Sequence, residues 1–403
     1  MASVQSATIA AGEPAATLAR LAGRAHELLP VLRERAARTE QLRRLPEETV
    51  REFREAGFFR IFQPRRYGGF ELDYGPAQLA LGGEIGQACG SSAWVLTVVA
   101  CHSWMLGMFP REAQDEVWGE RPDDLLSSGV FPDRSEIVPA KGGLTVSGRW
   151  RFSSGVDHVQ WAVLGAPLRA EKGPPSLVWI VVPRRDFEIR DTWRVAGLAG
   201  TGSNDIEIAG AFVPDHRIVP FPALLTGTGP GGAVNESHIY RLPVFAVFPY
   251  NICAPALGIA RGAVDWYIEN AKRRSPLVLG ERHFGYDALH LKMVEAAVRI
   301  DAAEALLQRD AAEITEIGRA GRTFTPEQQT RYGRDLSFAA QAFMQAVDKI
   351  FYTSGGHGLF EDNPIQRAFR DVHAVNAQIG LRWEMCAAPY AQAVLGLGAP
   401  AGH

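Results

Sequence analysis

The spacing of apolar residues predicts helices at both ends of the chain and strands in its middle. Near the N-terminus, the stretch LARLAGRAHELLPVLRERAARTEQL repeats its apolar residues at intervals of three and four, among several arginines. This spacing places the apolar residues on one face of an amphipathic helix. They are Leu18, Leu21, Ala25, Leu28 and Leu32. Helical spacing then continues, with turn-rich breaks, to about residue 122.

From about residue 123 the period changes to two. Short runs rich in Val, Ile, Trp and Phe alternate with Gly and Pro, which is typical of strands joined by turns. The runs are GLTVSGRWRFSSG, QWAVLGAP, SLVWIVVP and DIEIAGAFVP. In the first of them, Trp150 and Phe152 alternate with Arg149 and Arg151, which predicts a half-buried strand. Residues 123–235 are therefore predicted to form a compact β domain.

Helical spacing returns after residue 235 and predicts a C-terminal bundle. Two long stretches each place their apolar residues on one side of a helix. The first stretch carries Leu291, Val294, Val298 and Leu306, and the second carries Leu336, Ala340, Phe343, Val347 and Ile350. Long amphipathic helices joined by loops pack as bundles. We therefore expect a mainly helical α+β protein with a helical domain at 1–122, the β domain at 123–235 and a helical bundle at 236–403.

Composition narrows the possible partners. The chain has 403 residues and a formal net charge of -3, whereas a nucleic-acid-binding protein normally presents a basic face. Its longest apolar runs, such as AWVLTVVA at 93–100, are shorter than the roughly 20 residues of a membrane-spanning helix. The N-terminus lacks the basic start and long apolar centre of a secretory signal. These features predict a cytoplasmic protein with no nucleic-acid or membrane partner.

The cysteines and histidines predict neither a disulfide framework nor a metal site. Cys89, Cys101, Cys253 and Cys386 are scattered without CxxC spacing, and the ten histidines form no HExxH motif. The Gly-rich GTGPGG at 227–232 lies outside a βαβ unit, so it is interpreted as a connection rather than as a dinucleotide loop.

The segment GRWRFSSGVDHVQW, residues 148–161, carries the first candidate chemistry. Two adjacent hydroxyls, Ser153 and Ser154, follow the aromatic pair of the predicted strand. Ser-Ser-Gly is a common way to end a strand in a turn. The same residues could also form a rim of backbone and hydroxyl groups that faces a bound aromatic ring.

Three other segments resemble markers of the acyl-CoA dehydrogenase superfamily. They are PRRYGGFELDYG, VAGLAGTGSNDIEIAGAFVPDHRIV and SGGHGLFEDNPIQRAFRDV, and they occur in the family's order along almost the whole chain. The resemblance implies an N-terminal helical domain, a central β-barrel or sandwich domain and a C-terminal four-helix bundle. It also implies a homo-oligomer, expected to be a homotetramer.

Within this superfamily, the 148–161 segment resembles the flavin-dependent monooxygenases rather than the dehydrogenases. That resemblance implies the oxygenase component of a two-component system, which takes reduced FMN or FAD by diffusion from a separate flavin reductase. With O2, such enzymes form a C4a-hydroperoxyflavin and hydroxylate aromatic or heteroaromatic small molecules. Two alternatives remain open at this point: an acyl-CoA dehydrogenase-type FAD enzyme with Asp362 as its base, and a non-catalytic flavin-binding relative.

The resemblance also implies roles for particular residues. Ser154 matches the residue that contacts flavin N5, where a hydroxyl and the exclusion of water slow the loss of hydrogen peroxide. The other expected flavin contacts are Phe152 and Ser153 beside it, Thr201 and Ser203 in AGTGSND, and Gly355 and Gly356, which would reach the cofactor across a subunit interface.

His102 and Ser128 match residues that hold a phenolic substrate in the aromatic hydroxylases, with Trp104 beside them. An imidazole can orient or deprotonate a phenol because its ordinary pKa lies near working pH. Without the resemblance, His102 could equally be a packed helix histidine, and Ser128 could cap a strand.

Two positions depart from the patterns of the family. The hydroxylases usually have a histidine eight residues after the arginine of FRDV, and here that position is Gln378. An amide cannot carry a proton to peroxide, so we expect another group or water to take any acid role. His373 is five residues closer to the motif, but on a continuous helix it would lie about 140° away from Gln378. Asp362 matches the dehydrogenase glutamate one methylene short, and the EDNP sequence around it also resembles a helix N-cap.

Overall fold

Helices form the N-terminal part of the computed structural model, which describes residues 13–168, 176–273 and 284–397. They are α1 (Glu13–Leu42), α2 (Glu47–Ala56), α3 (Tyr74–Gly86), α4 (Gly90–Leu106) and α5 (Arg111–Trp118). The stripe predicted on α1 is confirmed, since Leu21, Ala25 and Leu32 are almost fully buried. Every residue of α4 is buried, so this helix runs through the interior and touches neighbours on all sides.

Strands follow from residue 126 to residue 220. They are β1 (Leu126–Gly129), β2 (Pro132–Ala140), β3 (Gly143–Ser153), β4 (Trp161–Leu168), β5 (Ser176–Pro183), β6 (Glu188–Arg190), β7 (Asn204–Pro214) and β8 (Ile218–Pro220). They form two four-stranded sheets, ordered β1-β4-β5-β8 and β2-β3-β7-β6. The β1–β4 pair is parallel and the other pairs are antiparallel.

The end of β3 departs from the predicted alternation. Trp150 is buried as expected, but Phe152 is 67% exposed and its φ is +65°. The pairing with β7 shifts register between Trp150 and Ser153, which marks a bulge that turns the next side chains to the other face. The prediction that Phe152 shares the buried face of Trp150 is therefore wrong, because the period of two ends at this bulge.

The C-terminal part of the described chain is again helical. Three short helices lead into it: α6 (Phe221–Leu225), α7 (Gly231–Val234) and α8 (Val244–Val247). The long helices are α9 (Tyr250–Arg273), α10 (Phe284–Arg319), α11 (Pro326–Thr353), α12 (Pro364–Asn376) and α13 (Trp383–Leu395). The apolar stripe predicted on α11 is confirmed, from Leu336 at 1% exposure to Ile350 at 0%. The mainly helical α+β class is confirmed as well.

The stripe predicted on α10 does not face the core. Leu291, Val294 and Val298 are between 49% and 69% exposed. The buried face of α10 instead carries Ala296, Ile300, Ala303 and Leu307. Since α10 is apolar on two faces, its periodicity alone could not tell which of them packs against the bundle.

Within the described ranges, one segment of the bundle is both long and apolar. Val244–Lys272 has the length and composition of a membrane-spanning helix, but 83% of its most apolar stretch is buried inside the protein. A buried segment of this kind is typical of a core helix in a folded bundle.

Helices α3 and α9 cross with their backbones in contact. A Cβ atom added at Gly258 would lie 2.6 Å from the Cα of Gly86 and 2.7 Å from the carbonyl oxygen of Gly83. Both neighbours are backbone atoms, so a side chain at this position would force the two helices apart. Glycine is therefore required at the crossing.

The crossing predicts the effect of one substitution. Gly258→Ala should lower the thermal unfolding midpoint, because overpacking at a rigid contact costs about 1 to 3 kcal/mol. Gly333→Ala is the matched control, since Gly333 also lies within a helix and a Cβ there meets no atom within 4 Å. It should leave the midpoint unchanged or raise it, because alanine favours helix. Equal midpoints for the two variants in a thermal melt would contradict this description of the crossing.

Candidate active site

Ser154 lies where the end of β3 meets α4. It is 7% exposed, and the next residue, Gly155, donates its backbone N–H to the carbonyl oxygen of Thr201 over 2.9 Å. A Cβ at Gly155 would lie 3.1 Å from Val95 and 3.2 Å from Val99 on α4. Ser154 is thus held between the β domain and the central helix of the N-terminal domain.

The hydroxyl of Ser154 belongs to a hydrogen-bonded chain that we call the hydroxyl chain: Ser154, Ser203 and Thr201. The Oγ atoms of Ser154 and Ser203 are 2.8 Å apart, and Ser203 Oγ is 2.7 Å from Thr201 Oγ1. Thr201 Oγ1 in turn donates to the carbonyl oxygen of Leu198 over 2.9 Å. At the other end, Trp94 Nε1 donates to Ser154 Oγ over 3.0 Å.

The direction of the hydroxyl chain follows from its last bond. A carbonyl oxygen can only accept, so the single proton of Thr201 goes to Leu198. Ser203 must then donate to Thr201, and Ser154 must donate to Ser203. Because Ser154 also accepts from Trp94, its own proton is committed and one lone pair remains. Toward any further group, Ser154 Oγ can therefore act only as an acceptor.

This direction changes the expectation for Thr201 and Ser203. Both residues are buried, at 1% and 3% exposure, and both hydroxyl protons are used inside the protein. Their hydroxyls contact Ser154 and the Leu198 carbonyl. Their contact with the flavin stays a prediction. In this arrangement they hold Ser154 in place rather than offering free donors.

Phe152 and Ser153 flank Ser154 in different ways. The exposed Phe152 ring meets the edge of Trp193, with the ring centroids 6.1 Å apart. Trp193 Nε1 donates to the Leu198 carbonyl over 3.0 Å, so this aromatic pair lies beside the end of the hydroxyl chain. Ser153 is fully buried, and its Oγ has no hydrogen-bond partner within the protein.

His102 lies on α4, eight residues beyond Trp94, which corresponds to about 12 Å along the helix axis. It is fully buried, and its Nδ1 is 2.9 Å from the carbonyl oxygen of Leu126 at the start of β1. Because that carbonyl only accepts, Nδ1 carries the proton and Nε2 carries a lone pair. Nε2 is buried and has no partner.

Burial lowers the pKa of His102 to about 4, although the bond to Leu126 partly opposes this shift. The expectation that its pKa lies near working pH is therefore wrong. Desolvation disfavours the charged imidazolium, so the neutral ring dominates at pH 7. His102 is thus suited to accept a hydrogen bond at Nε2 rather than to take up a second proton there.

The β1 strand places two serines next to the Leu126 contact. Ser128 is partly buried, whereas Ser127 is fully buried and its Oγ has no partner. The sequence indicated Ser128 alone. The adjacent hydroxyl of Ser127 is a further candidate for contact with a ligand. The sequence does not indicate this role, because the evidence for it is the burial of the side chain.

Trp104 lies apart from His102. The two residues are two positions apart on α4, so they differ by about 200° around the helix axis. Trp104 packs 4.6 Å from the Tyr74 ring and donates Nε1 to the Ile239 carbonyl, fully buried in the core. Trp94 is the tryptophan of α4 that reaches the site. The sequence does not indicate this contact, because the partner of Trp94, Ser154, lies 60 residues away in the chain.

The C-terminal candidates take no part in the hydrogen bonds of the hydroxyl chain. Gly355 and Gly356 form an exposed turn after α11, and a Cβ at either would meet no atom within 4 Å. Gln378 lies beyond the end of α12, where its side chain accepts a hydrogen bond from the backbone N–H of Gly380. The angular comparison of Gln378 with His373 on one continuous helix is therefore wrong, since α12 ends at Asn376.

Asp362 also lies outside the hydroxyl chain. It occupies an exposed turn before α12, and the capping residue is its neighbour Asn363, whose Oδ1 accepts from the Ile365 N–H over 3.0 Å. The EDNP sequence thus contains the predicted N-cap, with Pro364 in the first turn.

Buried polar atoms without partners provide a test of whether a flavin fits here. Buried polar groups are almost always hydrogen-bonded, yet Ser153 Oγ, His102 Nε2 and Ser127 Oγ have no partner within the protein. Ser154 adds a free lone pair, on a hydroxyl that Trp94 of α4 contacts. A ligand that combines a flat aromatic ring with polar edges would satisfy these groups, which are two hydroxyls without a partner and two acceptors. Among the described residues, no group of three or more His, Cys, Asp or Glu side chains could hold a metal ion.

Family models match both helical parts of the chain. A model described as acyl-CoA dehydrogenase, N-terminal domain, matches residues 25–121, and one described as acyl-CoA dehydrogenase, C-terminal domain, matches residues 250–383. The strands from β1 to β8 lie between these two matches.

Individual relatives match nearly the whole chain. It is 38% identical over 348 residues to the flavin-dependent monooxygenase, oxygenase subunit HsaA, of Rhodococcus jostii, covering 86% of this chain and 91% of that protein. It is 34% identical over 389 residues to the FADH2-dependent resorcinol hydroxylase, oxygenase component, of a Rhizobium species, covering 94% of each. The crystal structure of 3-HSA hydroxylase from a Rhodococcus species superposes with a TM-score of 0.90 at 35% identity, covering 95% of this chain and 98% of that one.

The low pKa of His102 predicts how the free energy of unfolding depends on pH. The folded protein holds His102 neutral down to about pH 4, whereas unfolded histidine binds a proton near pH 6.5. Because the buried ring is neutral, His102 contributes its full stabilisation above pH 6.5. This contribution is lost as the pH falls toward 4. Between pH 7 and 4, the wild type should therefore lose about 3 kcal/mol relative to His102→Gln. Urea unfolding at a series of pH values measures this difference, and a constant difference would contradict the assignment.

Proposed function

Because this chain belongs to the flavin-dependent monooxygenases of the acyl-CoA dehydrogenase fold, we propose that it is the oxygenase component of a two-component aromatic hydroxylase. Its substrate would be an aromatic or heteroaromatic small molecule, and O2 would be the second substrate. The observation that carries the proposal is the buried Ser154 hydroxyl, whose proton is committed and whose remaining lone pair is free.

Reduced FMN or FAD, when bound, supplies the electrons with which O2 is activated. Ser154 would accept a hydrogen bond from the N5–H group of the reduced ring, because Trp94 and Ser203 leave it only acceptor capacity. A neutral hydroxyl oxygen is too weak a base to remove the N5 proton, so this bond would hold the proton in place rather than assist the loss of hydrogen peroxide. The burial of Ser154 also keeps water from this edge. Phe152 would pack against the ring system.

His102 would hold the substrate through a phenolic hydroxyl. Its Nε2 lone pair can accept the hydrogen bond of a phenol, and the Leu126 carbonyl fixes the tautomer that makes this possible. This bond increases electron density on the phenolic oxygen and, through it, on the ring carbon to be hydroxylated. Ser127 and Ser128, at the adjacent end of β1, would complete the substrate contact.

The electrons would come from a separate flavin reductase by diffusion of reduced flavin. Among the described strands, only β1 and β4 pair in parallel, and no βαβ unit of the nicotinamide-binding kind occurs. The four free cysteines support a location in the reducing cytoplasm.

A homotetramer is supported by the exposed apolar residues of the bundle. Leu291, Val294 and Val298 on α10 are exposed, and α13 buries none of its residues although it carries Trp383 and Met385. Apolar patches of this kind mark protein contact surfaces. Association there could also bring the exposed Gly355 and Gly356 turn to the cofactor of a neighbouring subunit.

The function is tested with the purified protein, reduced FMN or FAD, 18O2 and a panel of phenols paired with their methyl ethers. We expect at least one phenol to gain a single 18O atom, and its methyl ether to react far more slowly because it cannot donate to His102. Ser154→Ala should shift the reaction from hydroxylated product to hydrogen peroxide by about tenfold, the value of one strong hydrogen bond. Product is measured by mass spectrometry and hydrogen peroxide by a peroxidase assay.

Ser147→Ala is the control for this experiment. Ser147 lies on the same strand, but its Oγ accepts from the Gly210 N–H and is not part of the hydroxyl chain. This variant should retain wild-type coupling. The proposal fails if every phenol yields only hydrogen peroxide with the wild-type protein.

The tetramer is tested by analytical ultracentrifugation. The wild type should sediment with four times the 44.0 kDa of one chain. Val298→Glu, which places a charge on the exposed face of α10, should yield smaller species. Val138→Glu, at an exposed valine of β2, should not. A wild-type monomer at micromolar concentration would rule out the tetramer.

A further inference from the structure

We propose that Asp371, on α12, is a positioning residue that fixes both neighbours of the Ser154 hydroxyl. The inference rests on the proposed function of Ser154 and extends it to a residue of the C-terminal bundle. Asp371 is 4% exposed, and its Oδ1 accepts the backbone N–H of Leu198 over 2.6 Å. Leu198 is the residue on which the hydroxyl chain ends.

The first connection runs through the loop between β6 and β7. Within this loop, a Cβ at Gly197 would lie 2.1 Å from the carbonyl oxygen of Arg370 on α12, and one at Gly200 would lie 2.5 Å from Thr39 on α1. The loop is therefore pressed between two helices of different domains. Its position depends on those helices rather than on the β domain alone.

Leu198 occupies a backbone conformation that leucine adopts only under constraint. Its φ is +52°, in the left-handed region that costs a non-glycine residue about 1 kcal/mol or more. The carboxylate of Asp371 holds the N–H of Leu198, and the same residue presents its carbonyl oxygen to Thr201 Oγ1. Loss of the carboxylate would free Leu198 to relax, and the acceptor that sets the direction of the hydroxyl chain would move.

The second connection runs through α4. A Cβ at Gly90, the first residue of α4, would lie 2.8 Å from Asp371 Oδ2, so the carboxylate lies against the start of this helix. A negative charge is favourable there because the N-terminus of a helix is electropositive. One turn later on α4 comes Trp94, the donor to Ser154 Oγ. Both hydrogen bonds of Ser154 therefore lead back to Asp371.

The arginines near Asp371 form their ion pairs with another carboxylate, so Asp371 can bind the N–H of Leu198. Arg367 and Arg370, on the same helix, both pair with Glu40 of α1. Burial raises the pKa of Asp371 to about 6, while the bond to Leu198 and the charge of Arg370 oppose that rise. The group remains mostly ionised at pH 7.5, and a bond from an N–H to a carboxylate is stronger than one between neutral groups.

The test compares Asp371→Ala and Asp371→Asn in the assay that measures product and hydrogen peroxide. Asp371→Ala removes the acceptor for Leu198, so the ratio of hydrogen peroxide to product should rise about fivefold, the factor expected for one net hydrogen bond. Asp371→Asn keeps an acceptor oxygen and should recover most of the coupling. The double variant Asp371→Ala/Ser154→Ala should be no more uncoupled than Ser154→Ala alone, because both changes act on one hydroxyl.

Two further variants separate positioning from general stability. Asp335→Asn removes another buried carboxylate of the bundle, one that pairs with Arg309 and Arg334, and it should change the melting temperature without changing coupling. Thr201→Val breaks the hydroxyl chain at a second point and should uncouple the reaction like Asp371→Ala. If Asp371→Ala does not fold, Thr201→Val still tests whether coupling depends on the hydroxyl chain.

These experiments distinguish a failure of the positioning role from a failure of the proposed function. If the wild type forms product and Ser154→Ala uncouples while Asp371→Ala and Thr201→Val stay coupled, the positioning role is wrong and the proposed function stands. Additive uncoupling in the double variant would also overturn the inference. If the wild type forms no product from any phenol, the proposed function itself is wrong.

Discussion

A single hydroxyl with a committed proton defines this site. Ser154 Oγ donates to Ser203, accepts from Trp94 and retains one lone pair. The direction follows from a carbonyl oxygen three bonds away, because the Leu198 carbonyl can only accept. Every chemical role assigned to Ser154 depends on that carbonyl remaining where it is.

The packing of the three parts of the fold keeps the Leu198 carbonyl in place. Ser154 and Ser203 come from the β domain, Trp94 comes from the N-terminal helices, and Asp371 comes from the C-terminal bundle. A buried hydroxyl on one strand could make its hydrogen bonds with nearby residues of the same strand. The partner that receives its proton could then change whenever those residues move. Here the two neighbours come from different domains, and Asp371 of the third domain connects to both of them, so the geometry of Ser154 depends on the packing of all three. Such support around a reacting centre is what preorganisation requires.

Much of the fold could be predicted from the sequence, because α1 and α11 each have one buried face with a regular period, and the strands are runs rich in Val, Ile, Trp and Phe between Gly and Pro. The prediction failed where the period does not determine which face of an element packs against the rest of the protein. The outward face of α10, with Leu291 and Val298, is as apolar as its inward face, and the bulge at Phe152 reverses the alternation within a strand. In the site, motif resemblance indicated Ser154, Thr201 and Ser203, but their connection to Trp94 depends on tertiary contacts that no local pattern contains. The same holds for Asp371, which appears in the sequence only as part of the RDV segment.

The role of Ser154 is tested most directly by a crystal structure of the protein with reduced flavin, prepared without oxygen. We expect flavin N5 to lie about 3 Å from Ser154 Oγ, within hydrogen-bonding distance, while the bonds from Trp94 and to Ser203 persist. A flavin bound with N5 beyond the reach of Ser154, or a Ser154 hydroxyl released from Ser203, would contradict it.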